Sequence, residues 1–341
     1  MYSLARKLLF TLSGEAAHQI ALESLDAAAR LRLIKPFVAK RLQAPVKVMG
    51  LEFPNAVGLA AGLDKNADHL NSLDQLGFGF IEVGTVTPRP QPGNPKPRLF
   101  RIPEQEAIIN RMGFNNKGLD HLVNQVQNQS MNALLGINLG KNLTTPVEEA
   151  VNDYLVGLEA VYNFADYVTV NISSPNTPGL RNLQYGEALK DLLQPLKEAQ
   201  ARLADQHQRH VPLVVKVAPD MDEDELQSLA ATLRQLKLDG VIATNTTLDK
   251  SAVEGLRYGE EAGGLSGRPL TEKSCEITRQ LADALEGDLP IIGVGGIFSA
   301  EDAVERIEAG ASLVQLYTGF IYRGPSLISE CAEAIAGMNK N

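Results

Sequence analysis

Leu213-Val214-Val215-Lys216-Val217-Ala218 is a six-residue run of apolar, mostly β-branched chain with one lysine set inside it. A run apolar on both faces of the pleat belongs in a parallel sheet covered on both sides. Seven more such runs occur, at 57–62, 80–86, 134–140, 167–173, 241–246, 291–297 and 313–319. Helix-like stretches separate most of them, among them 148–162, 186–203, 223–236, 271–285 and 300–309. Eight strand–helix units predict an α/β protein with a (β/α)8 barrel; a doubly wound sheet is the rival arrangement. Residues 46–53 read as a hairpin around Met49-Gly50, ahead of the first barrel strand. Residues 98–102 and 107–111 read as a second hairpin, above the carboxyl end of the barrel.

The barrel unit so read spans 45–341, and residues 1–44 differ in texture. Leu4, Leu8, Leu9 and Leu12 form one helical stripe, Ser13-Gly14 a cap and break, and Ala17, Ile20, Ala21, Leu25 and Ala28 a second stripe. Pro36 ends or kinks any helix continuing beyond the second stripe. The first 47 residues hold eight basic residues against three acidic ones, in a chain of 341 residues whose net charge is −9. Two basic, apolar-faced helices are either a cap on the main domain or a hairpin for a membrane surface, and one structure can serve as both. Apolar Leu8-Leu9-Phe10 is too short, and too soon broken by Ser13-Gly14-Glu15, for a secretory signal. The acidic balance argues against nucleic acid as a partner. Cys275 and Cys331 alone hold neither a zinc nor an iron–sulfur cluster. His207 and His210 lie far from the predicted site.

Barrel chemistry collects at the carboxyl ends of the strands. Those ends carry Gly62-Leu63-Asp64-Lys65-Asn66, Thr85, Asn138, Asn171 to Gly179, Lys216, Thr244-Asn245-Thr246, Gly295-Gly296 and Tyr317-Thr318-Gly319. Amide side chains both donate and accept, so a ring of asparagines suits a flat ligand of alternating polarity. Lysines suit an anion or a developing negative charge, and a lysine inside a buried strand is costly without a role. Glycines at the seventh end, beside the eighth, suit a phosphate held by backbone N–H groups. Gly264-Leu265-Ser266-Gly267 offers further donors to that cradle.

Several motifs carry a family resemblance. They are Ala60-Ala61-Gly62-Leu63-Asp64-Lys65, the Gly84–Asn94 segment GTVTPRPQPGN, Asn110-Arg111-Met112-Gly113-Phe114-Asn115-Asn116, Asn171-Ile172-Ser173-Ser174-Pro175-Asn176-Thr177-Pro178-Gly179 and Gly263-Gly264-Leu265-Ser266-Gly267. Together they resemble the dihydroorotate dehydrogenases, in particular the quinone-using, membrane-associated class 2 form of bacteria, and the likeness runs through essentially the whole chain. It implies a barrel that holds FMN and oxidises (S)-dihydroorotate to orotate in pyrimidine synthesis, with a membrane quinone as final acceptor. Class 1 relatives use a cysteine base and lack the extension, whereas this chain has Ser174 at the base position. The NAD-linked type needs an iron–sulfur partner subunit, so no obligatory partner is expected here.

The resemblance makes Ser174 the base that removes the C5 proton, assisted through water or Thr177 and shielded by Phe114, while hydride passes from C6 to the flavin. It places Ala61, Gly62, Leu63, Asp64, Lys65, Thr85, Asn138, Asn171, Lys216, Thr244, Gly267, Gly296, Tyr317 and Thr318 around FMN. Lys216 would face the edge of the flavin that gains negative charge, and the last four would surround the phosphate. Lys65, Asn110, Arg111, Met112, Gly113, Phe114, Asn171, Asn176, Asn245 and Thr246 would form the substrate site. His18, Arg101 and Tyr317 match a quinone tunnel. A peripheral protein on the cytoplasmic face of the bacterial inner membrane is the corresponding location.

Overall fold

The computed structural model describes residues 2–34 and 38–338, so Pro36 lies outside the described residues. Eight parallel strands close into a barrel: β1 Val57–Leu59, β2 Phe80–Val86, β3 Leu134–Leu139, β4 Tyr167–Asn171, β5 Leu213–Val217, β6 Gly240–Ala243, β7 Ile291–Val294 and β8 Ala311–Leu316. Each strand pairs with the next, and β8 closes on β1 with Val314 opposite Val57. A helix follows every strand, from Leu70–Asp74 after β1 to Ser326–Met338 after β8. The doubly wound rival is thereby excluded.

Four strands stop three residues short of the runs that predict them. β1, β6, β7 and β8 end at Leu59, Ala243, Val294 and Leu316, and the residues beyond turn away from the ladder. Gly62, Gly295 and Gly296 have φ of +107°, +111° and +71°, a region open to glycine at little cost. These turns build the mouth of the barrel.

The interior is filled with side chains. Phe53, Phe80 and Tyr167 pack edge-to-face in a chain, with ring centroids 5.2 and 6.3 Å apart. The hairpin Val46–Val48 and Leu51–Phe53, turned at Met49-Gly50 with both φ positive, brings Phe53 to this layer. Glycines in neighbouring strands make room for the rings. A Cβ on Gly136 would lie 2.2 Å from Cζ of Tyr167, which is fully buried. Gly136→Ala is therefore expected to cost about 1–3 kcal/mol of stability, read as a lower urea midpoint at unchanged m-value.

Above the barrel lies an antiparallel sheet of Leu99–Ile102, Ala107–Asn110 and Gly264–Gly267. The expected two-stranded hairpin has gained a third strand from Gly264–Gly267, which the sequence marks only as a source of donors to the phosphate cradle. Its glycines are forced by crowding, since a Cβ on Gly264 would lie 1.9 Å from Thr246 Oγ1.

Helices α1 (Tyr2–Leu9) and α2 (Gly14–Arg30) form the extension, with the Ser13 hydroxyl capping α2 by accepting from the Ala16 N–H. They pack by one side only. Arg6 donates to the Tyr322 carbonyl at 2.6 Å. Arg101 donates to the Leu9 and Leu12 carbonyls and stacks on Phe10. Ala17 and Leu22 are buried, and Asp26 meets His69 Nδ1 at 2.7 Å. On the other side Leu4 and Leu8 are 74% and 72% exposed, and Leu12 and Ile20 are also open. Among the described residues no helix is long and apolar enough to cross a membrane.

Candidate active site

The strand ends and the three-stranded sheet line one pocket at the mouth of the barrel. Its walls include Ala61, Gly62, Lys65, Thr85, Asn110, Met112, Gly113, Phe114, Asn171, Ser174, Asn176, Lys216, Thr244, Asn245, Thr246, Gly267, Gly296, Tyr317 and Thr318. Ser174, on the loop after β4, and Lys216, on β5, thus share one chamber. Four of the residues assigned to the flavin or the substrate lie outside its lining. Asn138 is fully buried behind Thr85 and Asn171. Asp64 accepts from the backbone N–H groups of Asn66, Asp68 and His69 and so shapes its own loop. Arg111 pairs with Glu261 at 2.7 Å and stacks on Phe100. Leu63 faces a second cavity.

The asparagines form a chain with fixed amide orientations. Thr85 donates to Asn138 Oδ1 at 2.5 Å, and Asn171 Nδ2 donates to Thr85 and to that same oxygen at 2.9 and 3.1 Å. Ser173 donates to Asn171 Oδ1 at 3.0 Å and accepts from Asn245 Nδ2 at 2.9 Å. Asn176 Nδ2 reaches the Asn110 carbonyl at 3.2 Å. Each amide spends part of its capacity on the scaffold and keeps the rest for a ligand.

The chain ends on Glu82, buried within β2. Its carboxylate accepts from Asn138, Tyr167 and Gln315 at 2.7, 2.9 and 2.7 Å. Lys216 is buried and makes no hydrogen bond to a described residue. Burial pulls its pKa down, and the Glu82 charge opposes that shift. Thr244 Oγ1 and Gln315 Oε1 also line the chamber or its wall as buried atoms without partners. Unsatisfied groups of this kind await a polar ligand.

At the other end the backbone itself forms the wall. A Cβ on Gly296 would lie 2.3 Å from Thr271 Cα, and one on Gly319 1.9 Å from the Ile297 carbonyl. The N–H groups of Gly296, Thr318 and Gly319 make no backbone hydrogen bond among the described residues. Glycine keeps this surface open to an anion.

Ser174 is buried, and its Oγ accepts from the Asn176 N–H at 3.2 Å. Lys65 donates to the Gly62 carbonyl at 2.8 Å. Burial, then the nearby Arg98 charge, lowers its pKa to about 8, against the opposing charges of Asp64 and Glu15. Lys65, Met112 and Tyr317 also line the second cavity, of about 1590 Å³, which runs beneath α2 past His18. Burial, helped by Lys65, holds His18 down at about 3, so its imidazole is neutral near pH 7. Arg101 lies outside this cavity and clamps the α1–α2 connection. Glu82, Gln315 and Arg98 do not belong to the motif residues. A charged residue inside the apolar run 80–86 is the same signal that marks Lys216, and it points to Glu82.

Residues 43–338 match the family model described as dihydroorotate dehydrogenase. A dihydroorotate dehydrogenase (quinone) of Cellvibrio japonicus is 59% identical over 340 residues, 100% of this chain and 99% of the relative. One of Pseudomonas aeruginosa is 58% identical over 338 residues, 99% of each chain. Among solved structures, a dihydroorotate dehydrogenase of Eimeria tenella in complex with ferulenol superposes with a TM-score of 0.87 at 36% identity, covering 96% of this chain and 92% of its own. Fold, cavity and full-length similarity lead to one conclusion: the chain belongs to the dihydroorotate dehydrogenase family.

Proposed function

We propose that this protein oxidises (S)-dihydroorotate to orotate in pyrimidine synthesis, holds FMN as its flavin and delivers the electrons to a membrane quinone. The observation that carries this reading is the shared wall. Lys65, Met112 and Tyr317 separate a polar chamber from a second cavity that opens beneath the apolar-faced extension. One side suits a polar acid and the other a lipid-derived oxidant.

Bound FMN supplies the two-electron acceptor. The Lys216 ammonium, Thr244 Oγ1 and Gln315 Oε1 fit its polar ring, and the amides of Gly296, Thr318 and Gly319 fit its phosphate. Lys65, Asn110, Asn171, Asn176, Asn245 and Thr246 bind the substrate's carboxylate and ring amides. Ser174 Oγ takes the C5 proton and passes it toward the buried Thr177 or water. Phe114, itself buried, keeps bulk solvent from the reacting carbons. His18 and Tyr317 line the quinone path, and Arg101 holds its helical roof.

Residues 1–44 serve as a membrane-docking segment and residues 45–341 as the catalytic barrel. Leu4, Leu8, Leu12 and Ile20 enter the lipid interface on the cytoplasmic face of a bacterial inner membrane, and the exposed Lys7 favours anionic headgroups. No partner subunit is required. Anaerobic mixing with dihydroorotate tests the reading: the flavin absorbance bleaches, then returns with ubiquinone and not with fumarate or NAD. A flavin that stays oxidised refutes it. Deleting residues 2–12 is expected to weaken binding to anionic vesicles by at least about tenfold, the worth of burying one leucine. Flavin reduction should change less than quinone turnover; equal losses would make α1 only a structural cap.

A further inference from the structure

Glu15 sits in the first turn of α2, and its carboxylate reaches across the second cavity to the segment that precedes the three-stranded sheet. Oε2 accepts from Arg98 Nε and an Arg98 terminal nitrogen at 3.2 and 3.1 Å, and Lys96 Nζ lies 3.6 Å away. Arg98 is buried and donates to the carbonyls of Pro92 and Asn94 at 2.7 and 2.9 Å. Asn94 in turn donates to Arg111 and Met112 carbonyls, at the root of the segment that brings Met112, Gly113 and Phe114 to the chamber. Contact between α2 and this layer is tight, since a Cβ on Gly14 would lie 2.2 Å from a Leu99 methyl carbon. Glu15 and Arg98 both line the second cavity alongside Lys65.

We propose that Glu15 is a positioning residue for dihydroorotate oxidation: by pairing with Arg98 it fixes that arginine and offsets its charge on the wall that also carries Lys65. The extension thereby completes the substrate site as well as serving the oxidant. This rests on the reading of Lys65 as a carboxylate ligand. The charged groups acting on Lys65 are few. Arg98 disfavours its ammonium form, Asp64 and Glu15 favour it, and neighbouring His18 is neutral. Loss of Glu15 leaves Arg98 uncompensated, and its charge then acts on Lys65 across a poorly hydrated site.

The test is calorimetric titration of the flavin-loaded protein with orotate from pH 6 to 10. Wild type binds well with Lys65 protonated and loses affinity as pH rises through about 8. In Glu15→Gln the loss begins at lower pH, so affinity at pH 8 falls by about tenfold, while affinities converge at pH 6 where Lys65 is charged in both. A merely structural role for Glu15 would weaken binding equally at every pH, and that result overturns the proposal. So does an unchanged profile in Glu15→Gln while Lys65→Met loses orotate. Undiminished orotate binding by Lys65→Met would instead overturn the assignment of Lys65 on which the proposal stands.

Discussion

Ser174→Ala is expected to give a folded, yellow protein whose flavin is reduced by dihydroorotate about 10²–10⁴-fold more slowly, the usual worth of a positioned general base. Ser174 is buried, and the Asn176 N–H reaches its oxygen at 3.2 Å. Among the described residues no histidine, carboxylate or thiol bonds to that oxygen. The proposed role as base therefore requires a poorly solvated chamber, the Asn176 N–H that favours the deprotonated oxygen, and a proton exit through Thr177 or water. Two consequences separate this from simple packing. The wild-type reduction rate should climb with pH into the alkaline range. Ser174→Cys should keep measurable activity and level off at lower pH, because a thiol ionises near about 8.5. Stopped-flow reduction at saturating dihydroorotate reads both, and a normal rate in the alanine variant would remove Ser174 from the proton transfer.

The barrel was legible because strands covered on both faces must be apolar throughout, and eight such runs admit few arrangements. Where the runs end was not legible. Ala60-Ala61-Gly62 and Gly295-Gly296-Ile297 are as apolar as strand, but positive φ at their glycines takes the chain out of the ladder. The third strand, Gly264–Gly267, carries no β-branched residue, and its place depends on close approach to Thr246 and Glu106. Within the site, residue types at strand ends located the chamber. Side-chain direction, which separates Asn171 from Asn138 or Met112 from Arg111, follows from tertiary partners such as Glu82 and Glu261. The same limit applies to α2. Its periodicity marks an apolar stripe, yet the structure buries Leu22 and leaves Ile20 facing out.

Lys216→Met is expected to cost the flavin reaction more than the fold. Lys216 is buried on β5, opposite Asn171 of β4, and its electrostatic support comes from Glu82. That carboxylate already accepts from Asn138, Tyr167 and Gln315, so removing the lysine leaves Glu82 with three donors. Methionine matches the stem of the lost side chain, and the barrel should stay closed. The chamber, however, loses its one cation fixed within a barrel strand, where the bound flavin gains electrons. Preorganised charge of this kind is worth about 10²–10³ in rate. Reduction by dihydroorotate should slow by that factor, and the flavin midpoint potential should fall, because the charged reduced form is no longer stabilised. A purely structural lysine would lower the melting temperature and leave the potential where it was. Spectroelectrochemical titration beside a thermal melt distinguishes the two, and an unchanged potential would exclude Lys216 from stabilising the flavin's charge.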